Sequence, residues 1–163
     1  RLDRDAMMNP LFTVFPLLLL AVLLVAAAVI DWRTFTISNR LNLAVALLAP
    51  VYWWTSGLPL WPDAAIHVGI AVAVFAVLAA AFYAGMMGGG DVKLAAALAL
   101  WFPPFFTAKF LVWMSIAGGL LTLALLIAHR IRRQSGRPRI PYGVTISAAA
   151  LGILAERILN HFA

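Results

Sequence analysis

The 163-residue sequence contains no cysteine. This absence excludes disulfide bonds, thiolate zinc sites, iron–sulfur clusters and cysteine nucleophiles. Charged residues are also scarce, because they make up 11% of the chain, whereas an average soluble domain has about 25%. Hydrophobic residues reach 64%, which is more than a water-soluble domain of this length can cover with polar surface. The composition therefore excludes an ordinary soluble fold and indicates a membrane protein.

Long runs without charge divide the chain into candidate membrane helices. Residues 10–30, 64–87 and 110–128 are uncharged, and each run is long enough for a helix to cross about 30 Å of hydrocarbon. A cleaved signal peptide competes for the first run, although the charges before it nearly cancel. Three shorter apolar stretches can cross the bilayer only if their flanking residues are also helical or if the bilayer is locally thin. The sequence therefore predicts an all-α polytopic membrane protein, a single domain over residues 1–163 with six transmembrane helices at about 10–30, 41–55, 64–86, 91–106, 108–128 and 142–159.

The distribution of charge predicts the orientation. If the loops alternate sides, one side carries eight of the twelve cations with two acids, and the other side carries four cations with four acids. Lysine and arginine gather on the cytoplasmic side of membrane proteins, so the first side is predicted to be cytoplasmic. This accounts for the net charge of +6 without a nucleic-acid partner. The arginines of this face are expected to fix topology and to contact the lipid bilayer: Arg33, Arg40, Arg130, Arg132, Arg133, Arg137 and Arg139.

Asp31 and Asp91 are the two acids of the predicted cytoplasmic face, and each adjoins a hydrophobic span. The chain leaves this face and returns to it between them, so the two side chains can meet. Two carboxyl groups in a site of low dielectric share one proton, so that one activates water and the other protonates a leaving group. The competing interpretation is that each acid merely borders a helix. That suits Asp91 at a helix N-terminus, but the helix dipole disfavours Asp31 at a C-terminus.

Glycines precede the second acid directly, at Gly88–Gly90. Glycine permits unusual backbone angles and the close approach of a substrate backbone, although a flexible turn or a close helix contact uses glycine as well. The stretch 141–143, Pro-Tyr-Gly, either shapes the cleft from the opposite side or simply begins the sixth span. The histidines and acids show no metal-ligand spacing. No metal and no other cofactor is therefore predicted.

The segments 31–39 and 88–94 together resemble the two signature regions of type IV prepilin peptidases, a family of Gly-x-Gly-Asp membrane aspartyl proteases. The resemblance is to the short members associated with Tad/Flp-type pili, and it covers nearly the whole chain in span number and motif placement. It implies that Asp31 and Asp91 are the catalytic pair. Lys93 would orient the pair, bind substrate carbonyls or anchor its helix at the headgroups. The supporting active-site residues predicted in this way are Gly88, Gly89, Gly90, Lys93, Arg33 and Asn39.

The resemblance also implies a function. The substrate would be a prepilin or pseudopilin, cut where its short cytoplasmic leader meets its hydrophobic helix, at the cytoplasmic face of a bacterial inner membrane. Pilus assembly or secretion machinery would be a further partner. Larger relatives also methylate the new N-terminus and carry a cysteine-containing region that this chain lacks, so N-methyltransferase activity is not expected. Ser38 stands where many members have proline, which leaves the acid intact.

Two other classes of function compete with the peptidase. A small ion or proton-coupled transporter would use the same two acids to bind a cation, although acids of that kind belong near the middle of a span. A non-catalytic assembly protein would have the same helices but no enzymatic activity. This class does not explain why two acids lie on one face.

Overall fold

A computed structural model describes residues 10–132 and 139–162, with side chains from 12 to 132 and from 139 to 159. Arg133 and Arg137 lie outside these ranges. All regular structure in the described ranges is helical, which confirms the predicted all-α bundle of six helices. An irregular turn at Leu60–Ala64 leads into the third helix. The helices are α1 (Pro10–Thr34), α2 (Asn39–Thr55), α3 (Ala65–Tyr83), α4 (Gly89–Ala99), α5 (Pro104–Ile131) and α6 (Tyr142–Phe162).

Membrane-spanning length is not shared by all six helices. Four segments are long and apolar enough to cross a bilayer: Phe12–Thr34, Leu60–Tyr83, Pro104–Ile131 and Tyr142–Leu159. The helix α4 has 11 residues, and at about 1.5 Å per residue it extends over only about 16 Å. It is therefore too short to cross about 30 Å of hydrocarbon by itself. The chain belongs in a membrane with α4 enclosed by longer helices.

The boundary between the fourth and fifth helices differs from the prediction of spans at 91–106 and 108–128. The helix α4 ends at Ala99, residues 100–103 form a turn, and α5 begins at Pro104. The cause is the proline pair, because a residue before proline is disfavoured in helical geometry and proline fits the first turn of a helix. Pro103 therefore lies outside α5, and Pro104 is its first residue.

The short helix α4 lies in the core of the bundle. Eight of its residues, from Asp91 to Ala99, are buried, and the helix packs against α2, α3 and α6. Its alanines let the neighbouring helices approach closely, as small residues do at membrane helix contacts. In consequence, the acid at the start of α4 is held inside the bundle.

Tryptophans join the far end of α4 to α2. Trp101 Nε1 donates to the Val45 carbonyl at 3.0 Å, and Trp53 Nε1 donates to the Leu100 carbonyl at 3.0 Å. The Leu100 carbonyl has particular need of this donor, because the residue four positions on is Pro104, which has no N–H. These bonds hold α4 at a fixed depth relative to α2.

The hydrogen bonds between helices show which helix ends lie together. The amide of Asn42 near the start of α2 reaches Gly90 at the start of α4, and Asp31 near the end of α1 reaches Gly143 at the start of α6. We call this region the acid end of the bundle. Thr13 and Thr55 join the other ends of α1 and α2, where the Thr13 hydroxyl donates to the Thr55 carbonyl at 3.2 Å.

Candidate active site

Asp31 occupies the last turn of α1 and is 3% exposed. Its Oδ2 accepts a hydrogen bond from the backbone N–H of Gly143, at 2.7 Å. Gly143 is the second residue of α6, so its N–H is one of those that a helix start leaves without a partner. The dipole of α1 disfavours an anion at this place, whereas the start of α6 favours one. The sixth helix therefore stabilises a carboxylate that local sequence does not explain.

Asp91 is the third residue of α4 and is 8% exposed. Its Oδ2 accepts a hydrogen bond from the Gly88 backbone N–H at 3.2 Å, which is the usual geometry of an acid that closes a helix start. The carbonyl of Gly90, the preceding residue, accepts from Asn42 Nδ2 at 3.0 Å. Both the side chain and the backbone around Asp91 are thus fixed.

Ile37 lies where the segments that carry the two acids meet. A Cβ atom added to Gly90 would lie 2.9 Å from the Ile37 carbonyl oxygen, and one added to Gly143 would lie 2.6 Å from Ile37 Cδ1. The Gly143 position is also 2.9 Å from Asp31 Cγ. The Ile37 carbonyl oxygen is a backbone atom, so Gly90 has no room for a methyl group. At Gly143 the Ile37 Cδ1 atom ends a flexible side chain and can move, but Asp31 Cβ and Cγ, both at 2.9 Å, still exclude a methyl group.

The two carboxyl groups interact electrostatically. Burial, followed by the charge of Asp31, raises the pKa of Asp91 to about 7. A nearby like charge has this effect because the second ionisation must overcome repulsion in a medium of low dielectric. The pair therefore takes up or releases one proton at a pH near 7, and this proton belongs to the pair as a unit. A protonated carboxyl beside a second acid is an arrangement that serves general acid and base chemistry.

The supporting residues predicted from the sequence divide into three groups. Lys93 and Asn39 contact each other at the acid end, where Lys93 Nζ donates to Asn39 Oδ1 at 2.8 Å. Gly88 and Gly90 are tightly packed, whereas the nearest atom to a Cβ at Gly89 is a Phe82 ring carbon at 3.4 Å. Arg33 is exposed on the last turn of α1 and makes no hydrogen bond or ion pair with the part of the chain that the structure describes.

Three residues of the site lie outside the predicted supporting set, although Ile37 belongs to the signature segment 31–39 and Gly143 to the stretch 141–143. Gly143 binds Asp31, Asn42 binds the Gly90 carbonyl, and Ile37 packs between the glycines. Asn42 carried a usable signal, because it is a lone amide in a run of apolar residues. Gly143 carried a weaker one in its proline-tyrosine-glycine context, where the sequence also permitted an ordinary helix start.

Fold and site together define a polytopic membrane protein with a buried, interacting pair of carboxyl groups at one end of its bundle. The type IV leader peptidase family matches residues 18–123, which include both acids and the glycines before Asp91. This match covers about two thirds of the chain, and the chain belongs to that family. The matched stretch ends before α6 and thus before Gly143. No curated protein and no solved structure matches the chain.

Proposed function

We propose that this member of the leader peptidase family is an aspartyl endopeptidase that removes the short leader of type IV prepilins or pseudopilins, with Asp31 and Asp91 as its catalytic pair. The observation that carries the proposal is the burial of these two interacting acids at one end of a membrane bundle. Their position at helix ends favours hydrolysis over transport, because a transport acid belongs inside a span.

The chemistry follows from a pair that holds one proton. The ionised carboxylate takes a proton from water as the water oxygen bonds to the scissile carbonyl carbon, and the protonated carboxyl gives its proton to the carbonyl oxygen. As the tetrahedral intermediate collapses and the C–N bond breaks, the pair gives its proton to the leaving amine and takes the proton of one hydroxyl of the intermediate, which becomes the new carboxyl group. The pair is regenerated with one proton, and the acid and base belong to the pair as a unit.

The distribution of charge supports a location for the reaction. The excess of lysine and arginine in the loops of the acid end favours the cytoplasmic side of a bacterial inner membrane. A prepilin anchored by its hydrophobic helix would present its leader junction at the same level. Contact with pilus assembly or secretion machinery is part of this proposal, and methylation of the product is not.

The test is co-expression with a prepilin, with leader removal followed by gel mobility. Asp31→Asn and Asp91→Asn keep the side-chain shape but cannot share an acid proton, so each is expected to abolish detectable processing. Asp63→Asn is the matched control, because this acid lies at the opposite end of the bundle, just before α3. Processing at the wild-type rate by either of the first two variants would exclude the catalytic pair.

A further inference from the structure

Two grooves along the described bundle differ in what lies at their ends. The first has a volume of about 540 Å³ and lies between α2, α3 and α4. It starts at Asn39, Asn42 and Lys93 at the acid end and continues over apolar residues to Leu100. The second, of about 430 Å³, lies between α5 and α6. Its charged residues are Lys109 and Glu156, which form an ion pair at the opposite end.

Asn42 lines the acid end of the first groove and carries a buried hydrogen-bond acceptor without a partner among the described residues. The residue is 5% exposed, and its Nδ2 donates to the Gly90 carbonyl. A carbonyl can only accept, so the amide nitrogen must face Gly90 and the oxygen must face elsewhere. The oxygen, Asn42 Oδ1, has no hydrogen-bond partner among the described residues. A buried acceptor without a partner is costly, which calls for an explanation.

A peptide bond that is about to be cut has the kind of donor that Asn42 Oδ1 lacks. Water can reach the scissile carbonyl only if the substrate leaves helical geometry there, and the local N–H and C=O groups then lose their helical hydrogen bonds. In apolar surroundings these groups need new partners. Asn42 Oδ1 is buried in the free protein, and it can accept from the N–H once a shift of the groove wall exposes it to the bound substrate. Lys93 has three donors and gives one to Asn39, so it can donate to the C=O.

The walls of the first groove suit an apolar helix that approaches through the membrane. Val68, Val72 and Phe75 line it from the middle of the span Leu60–Tyr83. Their exposed fractions are 45%, 63% and 46%, so the groove opens toward the lipid. A polar junction at the acid end followed by an apolar segment along α3 is the order of groups in a leader joined to a hydrophobic helix.

We propose that the groove between α2, α3 and α4 binds the hydrophobic helix of the prepilin substrate, and that Asn42 accepts a hydrogen bond from the substrate backbone beside the scissile bond. This inference rests on the proposed function and extends it to the place where substrate binds. The groove between α5 and α6 serves as the internal comparison, because it has similar size and its polar end is remote from the acids.

Crosslinking tests the location directly. Because the chain has no cysteine, Val72→Cys and Trp113→Cys each give a unique thiol, one in each groove. Each is placed in the Asp31→Asn protein, which retains uncleaved substrate, and is treated with a bismaleimide in the presence of a prepilin that carries one cysteine in its apolar helix. A crosslink at Val72→Cys and none at Trp113→Cys is expected. Equal crosslinking, none at either position, or crosslinking at Trp113→Cys alone would overturn the proposal.

Kinetics test the same site independently. Ala46→Leu fills the first groove and is expected to raise KM about tenfold with little change in kcat, whereas Ala148→Leu in the second groove leaves both unchanged. Val72→Trp repeats the test from the lipid edge if Ala46→Leu does not accumulate. An unchanged KM in a well-folded variant of the first groove would exclude this groove as the substrate-binding site. Cleavage by the wild-type protein would then still support the proposed peptidase activity. Absence of wild-type cleavage would instead exclude the proposed function.

Discussion

The backbone N–H of Gly143 donates to Asp31 Oδ2 at 2.7 Å, although the two residues are 112 positions apart. This bond connects the last turn of the first helix to the first turn of the sixth. It places the favourable end of the α6 dipole against a buried carboxylate. The sixth helix, which lies outside the stretch matched to the peptidase family, is thereby part of the candidate site.

Gly143→Ala is expected to reduce prepilin processing by at least about a hundredfold, because a misplaced catalytic group has an effect of this size. The added methyl group would lie 2.9 Å from Asp31 Cγ and 2.6 Å from Ile37 Cδ1, so Asp31 must move. The rate of leader removal by purified protein in liposomes measures the effect. Gly152→Ala is the control on the same helix, since its Cβ meets nothing within 4 Å. A Gly143→Ala rate within a few-fold of the control would show that Asp31 needs no such contact.

The glycines before Asp91 are expected to differ in their tolerance of alanine. At Gly90 the new Cβ would lie 2.9 Å from the Ile37 carbonyl oxygen, a backbone atom that cannot rotate away. At Gly89 the nearest atom is at 3.4 Å, on the Phe82 ring, which is an ordinary contact. Gly90→Ala should therefore abolish processing, while Gly89→Ala should retain most of it. The comparison uses initial rates at matched protein levels. Equal loss in both variants would mean that chain flexibility, and not packing, explains the glycines.

The parts of this molecule that the sequence predicts are those encoded locally. Long uncharged runs identify the helices of the bundle, and Asp31 and Asp91 are visible because acids are rare and both adjoin such runs. The proline pair 103–104 marks a plausible helix break in the sequence, but the apolar pattern continues across residues 100–103 and extends the predicted fourth span to about 106. The restriction that proline places on its neighbour explains why α4 ends earlier, at Ala99. The position of the turn between α4 and α5 is therefore set by proline sterics, which a hydropathy pattern does not show.

The contacts around the acids could not be read from local pattern. Gly143, Asn42 and Ile37 acquire their significance from packing between segments 48 to 112 positions apart. Such contacts are settled when helices dock, and a proline-tyrosine-glycine or a single asparagine is compatible with many other uses. Lys93 and Asn39 were predicted separately, and only the structure shows that one bonds to the other.

The adjacent tryptophans of α2 give a paired test of the fold. Trp53→Phe removes the donor to the Leu100 carbonyl, which cannot find another in the helix because Pro104 lacks an N–H. An unsatisfied buried carbonyl costs about 1–3 kcal/mol, so the thermal midpoint in detergent should fall by several degrees. Trp54→Phe should leave the midpoint unchanged, because Trp54 is 79% exposed. Equal midpoints for the two variants would contradict the assigned bond.

Processing is expected to fall as pH rises through about 7. The pKa of Asp91 is raised to about 7, first by burial and then by the charge of Asp31, so the pair keeps its proton below this pH and loses it above. A pair without a proton can activate water but cannot protonate the carbonyl oxygen or the leaving amine. This decline is measured by initial rates in liposomes from pH 5.5 to 9. The thermal midpoint is followed in parallel. Asp63→Asn should keep the same profile. A rate that climbs steadily across pH 7 to 9 in folded protein would show that the reaction needs both carboxylates ionised.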